Sequence, residues 1–109
     1  VPRKFAPFDD EVIRKEFLDL PRESARDLKW AMVNHQNGRE LNYTLRNYGD
    51  DLLMIKGHGQ GRCLFFGKEV AGDEEKLIVL LIYKKESQEV PERVLRTARD
   101  RMRRYKEQN

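Results

Sequence analysis

Apolar positions in the first third of the chain recur three or four residues apart. Val12, Ile13, Phe17 and Leu20 form one such stripe, which predicts a helix over about 9–20 capped by Asp9 or Asp10. Pro21 interrupts it. Ala25, Leu28, Met32 and His35 repeat the spacing and predict a second helix over 22–36. Asn37-Gly38 would end it, since both residues tolerate the left-handed conformation. Two helices joined this tightly predict a helical hairpin.

The period then shortens. Tyr43-Thr44-Leu45 reads as extended, and Asn47-Tyr48-Gly49-Asp50-Asp51 is a turn cluster. Short apolar strands at 52–56 and 62–66 flank Gly57-His58-Gly59-Gln60-Gly61, and 67–76 reads as a polar loop. The run Leu77-Ile78-Val79-Leu80-Leu81-Ile82-Tyr83 is rich in β-branched residues, as a central strand covered on both faces requires. Short connections favour an antiparallel meander. Val94, Leu95, Ala98, Met102 and Tyr105 predict a third helix over about 91–106, with Pro91 suited to its first turn. The expected fold is one α+β domain over 1–109: an N-terminal helical hairpin packed on a twisted antiparallel sheet, then a C-terminal basic helix.

Composition narrows the possibilities. At 109 residues with 39% apolar and 38% charged positions, the chain can fill one modest core. No apolar run approaches the roughly 18 residues of a membrane span, and Val1-Pro2-Arg3-Lys4-Phe5 lacks the apolar stretch of a signal peptide. The single cysteine, Cys63, makes a reducing cytoplasm the expected compartment. It lies in an apolar strand and reads as a structural thiol. Two distant histidines without an acidic ligand pair predict no metal site, and no cofactor is expected. The net charge of +3 is unevenly spread: residues 84–109 carry nine Lys/Arg against five Asp/Glu. A polyanion is the first partner this implies.

The meander brings cations together. If the hairpin is symmetric about Gly59, Lys56 faces Arg62 across the strand pair. The next strand runs back antiparallel, so Tyr83, Lys84 and Lys85 reach the same sheet edge, with His58 on the loop above. Clustered cations suit binding of a phosphate and of the charge that builds on it during phosphoryl transfer. Crowding also lowers a lysine's pKa and readies it as a general base. These groups fit metal-free RNA cleavage, with one deprotonating the 2′-hydroxyl, one stabilising the phosphorane and one protonating the leaving 5′-oxygen. The plainer reading is that Lys and Arg at strand ends are solvated residues deterring sheet-to-sheet aggregation.

Other signals are plainer still. The glycine-rich 57–61 stretch lies between two strands, whereas a phosphate-cradling loop opens a helix; a hairpin tip with an RNA contact from His58 is expected. His35 falls on the apolar stripe of its helix. Trp30 lies off that stripe, broadening the core or facing a partner. Arg93, Arg96, Arg99, Arg103 and Arg104 fall on the outer part of the last helix, where Glu92–Arg96 and Asp100–Arg104 are i,i+4 pairs. The surplus charge, with Arg96, Arg99 and Arg103 foremost, suits phosphate backbones or an acidic protein segment.

The order of these elements resembles the RelE/HigB branch of bacterial type II toxins, including the phage-derived HigB-like group. Tyr83-Lys84-Lys85-Glu86-Ser87-Gln88-Glu89-Val90-Pro91 is similar to that group's aromatic, basic pair, Thr/Ser-Gln and Pro signature after a buried strand. Gly49-Asp50-Asp51-Leu52 with Ile55-Lys56, the strand Arg62-Cys63-Leu64-Phe65-Phe66, and Glu16-Phe17-Leu18-Asp19-Leu20-Pro21 resemble further family segments. Val90 stands where the family carries a capping Thr, and Leu53 where it carries Trp. The resemblance implies a RelE-like fold and a metal-independent endoribonuclease acting on mRNA, with the ribosome as its setting. It also implies a cognate antitoxin as partner, and operator DNA bound only as the toxin–antitoxin complex. Lys56, Arg62, Lys84 and Lys85 match the family's basic positions, with Tyr83 beside them. Two other readings stand alongside: a ParE-like, non-enzymatic gyrase inhibitor, and a non-toxic basic nucleic-acid-binding module.

Overall fold

The computed structural model describes residues 3–70, 72 and 74–108. In chain order the elements are β1 (Arg3–Pro7), α1 (Asp10–Leu18), α2 (Arg22–Gln36), β2 (Thr44–Asn47), β3 (Leu53–Lys56), β4 (Gly61–Val70), β5 (Glu74–Lys84) and α3 (Glu92–Gln108). Asp9 caps α1 by accepting a 3.1 Å hydrogen bond from the Val12 amide. The predicted bounds of α2 match the observed ones. Gly49, Asp50 and Asp51 all have positive φ, so the predicted turn cluster is a real reversal. Among the described residues, no helix is long and apolar enough to cross a membrane.

The strands form one sheet in the order β1-β5-β4-β3-β2. From β2 to β5 it is the expected antiparallel meander, but the sheet is mixed, because β1 pairs with β5 in parallel. The sequence pattern missed β1 because Phe5 is its one large apolar residue and Pro7 argues against a strand. At a sheet edge Pro is tolerated. The Phe5 amide donates to Gln36 Oε1 at 2.7 Å, and its ring meets Phe65 edge-on at 5.1 Å. The expected 67–76 loop is also corrected: β4 and β5 stay paired out to Val70 and Glu74. Lys68, Glu69, Glu74, Glu75 and Lys76 supply most of those outer rungs, so they carry little apolar signal; Ala71 and Asp73 lie outside the described residues, as do Val1 and Pro2 of the opening segment.

Two cores flank the sheet. On one face Ile13, Leu28 and Ala31 from α1 and α2 pack with Ile55, Cys63, Phe65 and Val79. On the other, Val94, Ala98 and Met102 of α3 pack with Leu64, Phe66 and Leu80. The basic helix therefore covers the face opposite the helical pair.

β5 is irregular where it matters most. Leu64 pairs with Leu81 but Phe65 pairs with Val79, leaving Leu80 as an extra residue. Leu80 and Leu81 both join the α3-side core, so the alternation of β5 reverses beyond this bulge. The carbonyls of Val79 and Leu80 are both taken from outside the β4 ladder, by the Phe8 amide and by Arg101 Nη1, each at 2.9 Å. Glu16 from α1 completes the arrangement. Its Oε1 accepts from the Ile82 amide at 3.0 Å, and its Oε2 pairs with Arg101 Nη1 at 2.8 Å. The Arg101 guanidinium also lies over the Phe8 ring. Arg101→Met leaves the Leu80 carbonyl and Glu16 Oε2 without their donor, and should lower unfolding free energy by about 2 kcal/mol. Urea unfolding within about 0.5 kcal/mol of wild type would mean that the bulge holds itself.

His35 ties β1 to the rest. It is buried, Arg3 Nη1 lies 3.3 Å from its Nε2, and the Tyr43 hydroxyl lies 3.2 Å from its Nδ1. Burial first, and the Arg3 charge second, lower its pKa below the ordinary 6.5. The unfolded chain therefore binds this proton more readily than the folded one, so the fold keeps its full stability above pH 6.5 and loses it as pH falls below that value. The melting temperature should drop between pH 7 and pH 5, and His35→Gln should flatten that limb. An unchanged slope in the variant would assign the loss to other groups.

Candidate functional site

One register row crosses four strands: Thr44 pairs with Lys56, Lys56 with Arg62, and Arg62 with Tyr83. Directly opposed residues share a face, and the parity of β3 and β4 puts this row on the α3 side. The bulge brings Tyr83 into it, since unbroken alternation would have turned the ring toward α1 and α2. The predicted opposition of Lys56 and Arg62 is observed. Lys85 follows: its amide donates to the Gln60 carbonyl at 2.7 Å, and its charge acts on Lys56. Lys84 alternates to the other face and is exposed, so it is the one member of the expected set that the fold separates from the row.

The row is electrostatically graded. Lys56 has a lowered pKa, through desolvation first and then through the neighbouring charges of Arg62, Arg46 and Lys85. Tyr83 is pushed the other way, to about 12, by burial and the neighbouring Tyr48 phenol, with Arg62 opposing. At neutral pH the phenol holds its proton while Lys56 releases one more readily than a free lysine does. Arg62 is 7% exposed. Its Nη1 donates to the Gly59 and Gly61 carbonyls at 2.8 and 2.9 Å, so half of its fork closes the hairpin. Among the described residues Nε and Nη2 make no hydrogen bond, which leaves donors for an anion.

Two residues of this face carried no sequence signal. Arg46 on β2 faces the same side as Lys56, and Tyr48 follows it. The Tyr48 hydroxyl is buried without a hydrogen-bond partner among the described residues. Arg46 lies against it, and Tyr48 is the first cause of the raised Arg46 pKa, with Glu89 adding to it; the contact falls short of an ordered hydrogen bond. Only the placement of β2 beside β3 reveals this pair, because the pattern showed no more than an extended stretch there.

The remaining expected residues disperse. His58 is exposed and its Nε2 lies 3.4 Å from Asn42 Oδ1; together with Asp27 and Trp30 it lines a cleft on the α2 side. Arg99 donates to the Tyr48 carbonyl at 2.9 Å, docking α3 on the turn after β2. Arg103 is engaged by Asp100 and Glu107, on the stretch of α3 whose Tyr105 meets Phe66, away from the row. Phe66 is four residues along β4 from Arg62, roughly 13 Å. Arg96 is exposed, with no ion pair among the described residues. Cys63 is buried, and burial pushes its thiol pKa up, as a structural residue requires.

The glycines of the hairpin have a local cause. The Gly59 amide donates to Asp27 Oδ2 at 2.7 Å, a Cβ at Gly57 would collide with that carboxylate, and one at Gly61 would lie 3.1 Å from the Ser24 carbonyl. The loop is bare because it lies against α2.

In comparisons with known protein families and with curated proteins, the chain matches none. The division of labour within the row is open to measurement. Arg62→Met should cost about 2 kcal/mol, as one buried and one half-buried carbonyl lose a charged donor. Lys56→Ala should stay within about 0.5 kcal/mol of wild type. Equal losses in urea unfolding would show the row to be purely structural.

Proposed function

We propose that this chain is a RelE/HigB-like type II toxin, a metal-independent endoribonuclease that cleaves mRNA, with the ribosome presenting the substrate in the cytoplasm. The observation that carries the reading is the Lys56–Arg62–Tyr83 row with Lys85 beside it. It joins a lysine of lowered pKa, a fixed guanidinium and a phenol that keeps its proton within one short stretch of sheet edge.

In this reading Lys56, in its neutral amine form, takes the proton of a ribose 2′-hydroxyl. The 2′-oxygen attacks the adjacent phosphorus, and Arg62 and Lys85 neutralise the charge on the non-bridging oxygens. The bond to the 5′-oxygen breaks as Tyr83 gives that oxygen its proton. The products are a 2′,3′-cyclic phosphate and a 5′-hydroxyl; exchange with water returns a proton to Tyr83 and removes one from Lys56. Lys84, on the opposite face, steers the strand without touching the scissile phosphate. A cognate antitoxin would neutralise the exposed cations, and operator DNA would be bound only by the complex of the two.

Purified protein incubated with mRNA on pre-formed ribosomes, under mild chelation, should yield new ends in primer extension. Lys56→Ala should lower cleavage by about 100-fold or more, the range of a general base. Lys56→Arg should fail to restore it, because a guanidinium does not deprotonate. The wild-type rate should rise from pH 6 toward pH 9 as Lys56 loses its proton. Cleavage unchanged in Lys56→Ala, or absent from folded wild-type protein, would overturn the assignment.

A further inference from the structure

Trp30 is the only tryptophan in the chain, and 60% of it is exposed. It stacks on no ring among the described residues. With Arg39, Leu41 and Asn42 of the α2–β2 connection, and His58 of the hairpin, it lines a cleft of about 460 Å3. That volume lies within the ordinary range for small-ligand sites.

The walls of the cleft are tied to one another. Asn34 Nδ2 donates to the Leu41 carbonyl at 3.1 Å, and His58 Nε2 lies 3.4 Å from Asn42 Oδ1. Asp27 Oδ2 is occupied by the Gly59 amide. The hydrogen bonds made by the described residues leave Asp27 Oδ1 and Asn34 Oδ1 as acceptors, and Asn42 Nδ2 and the Arg39 guanidinium as donors. A flat apolar ring bordered by both donors and acceptors matches an unpaired nucleobase, which offers a π-face and a hydrogen-bonding edge. An apolar peptide side chain would use Trp30 and Leu41 but strand the polar atoms around them.

The cleft also reaches the hairpin that carries the cationic edge. His58 stands two residues from Lys56, and the hairpin that carries it separates the α3 side from the α2 side. We propose that this cleft is a base-binding subsite for single-stranded RNA, with Trp30 as its stacking platform and the phosphodiester backbone crossing the hairpin tip from the Lys56–Lys85 edge. The assignment rests on the reading of that edge as a phosphate site.

The tryptophan is its own probe. A short 2′-O-methyl RNA, which lacks the attacking hydroxyl, should quench Trp30 emission as it binds, whereas inorganic polyphosphate should bind the edge without quenching. Trp30→Ala should weaken binding of a labelled oligomer by about 5- to 100-fold, the range of one base stacked on an aromatic ring. Trp30→Phe should bind nearly as wild type. The salt dependence should not change in Trp30→Ala, because no phosphate contact is lost. Emission unmoved at saturating RNA, or wild-type affinity in Trp30→Ala, overturns the subsite and leaves the exposed ring to a protein partner. Cleavage without quenching sinks this subsite alone. Quenching without cleavage sinks the nuclease reading and keeps the subsite, and absence of RNA binding removes both.

Discussion

The candidate site depends on two side chains that are not in it. Glu16 and Arg101 come from helices on opposite faces of the sheet and meet where β1 ends, binding the Ile82 amide and the Leu80 carbonyl. A bulge exposes backbone groups that the ladder no longer satisfies, and leaving such groups buried costs about 1–3 kcal/mol each. With those groups satisfied, the bulge persists and β5 changes phase. Tyr83 then joins Arg62 and Lys56 on the α3 face, while the apolar residues before the bulge keep filling both cores. A contact that would pass for a scaffold ion pair thus determines which face the phenol presents.

Holding several cations together has an electrostatic cost that the surroundings only partly relieve. Arg62 cannot shed its charge, and it is buried against its own hairpin. Its carbonyl partners and the nearby Asp27 offset part of the desolvation. Lys56 has no such partner, so the strain falls on its proton and lowers its pKa. The asymmetry follows from chemistry. In a row of one arginine and one lysine under mutual repulsion, the lysine is the group that can respond by deprotonating.

Much of this was legible in the sequence, for identifiable reasons. The limits of α2 follow from a clean stripe between Pro21 and Asn37-Gly38. The opposition of Lys56 and Arg62 follows from counting across a glycine-rich hairpin, because strand register is a matter of parity. What stayed hidden rests on long-range partners. β1 is a strand only because β5, Gln36 and His35 receive it. The outer rungs of β4 and β5 are mostly charged in sequence. The bulge leaves no mark in an unbroken apolar run, so the phase of Tyr83 could not be read, and with it the separation of Lys84 from the row. Glu16 and Arg101 lie 85 residues apart, beyond the reach of any local pattern.

The basic C-terminal helix illustrates how composition misplaces charge. Arg93 pairs with Glu86, Arg101 with Glu16, and Arg103 and Arg104 with Asp100. Arg99 is committed to the Tyr48 carbonyl, and Lys106 lies over the Phe66 ring. Exposed pairs of this kind contribute little to stability, but each cancels most of its own field beyond a Debye length of about 8–10 Å. Lys56, Lys84, Lys85 and Arg46 have no ion pair among the described residues. They are fewer than the arginines of the helix, yet they stand on one edge with no acidic partner in contact. This edge therefore presents positive charge of its own beside that of α3, where Arg96, Arg99 and Lys106 have no ion pair among the described residues. A chain whose arginines mostly hold its own parts together has left its lysines to face outward.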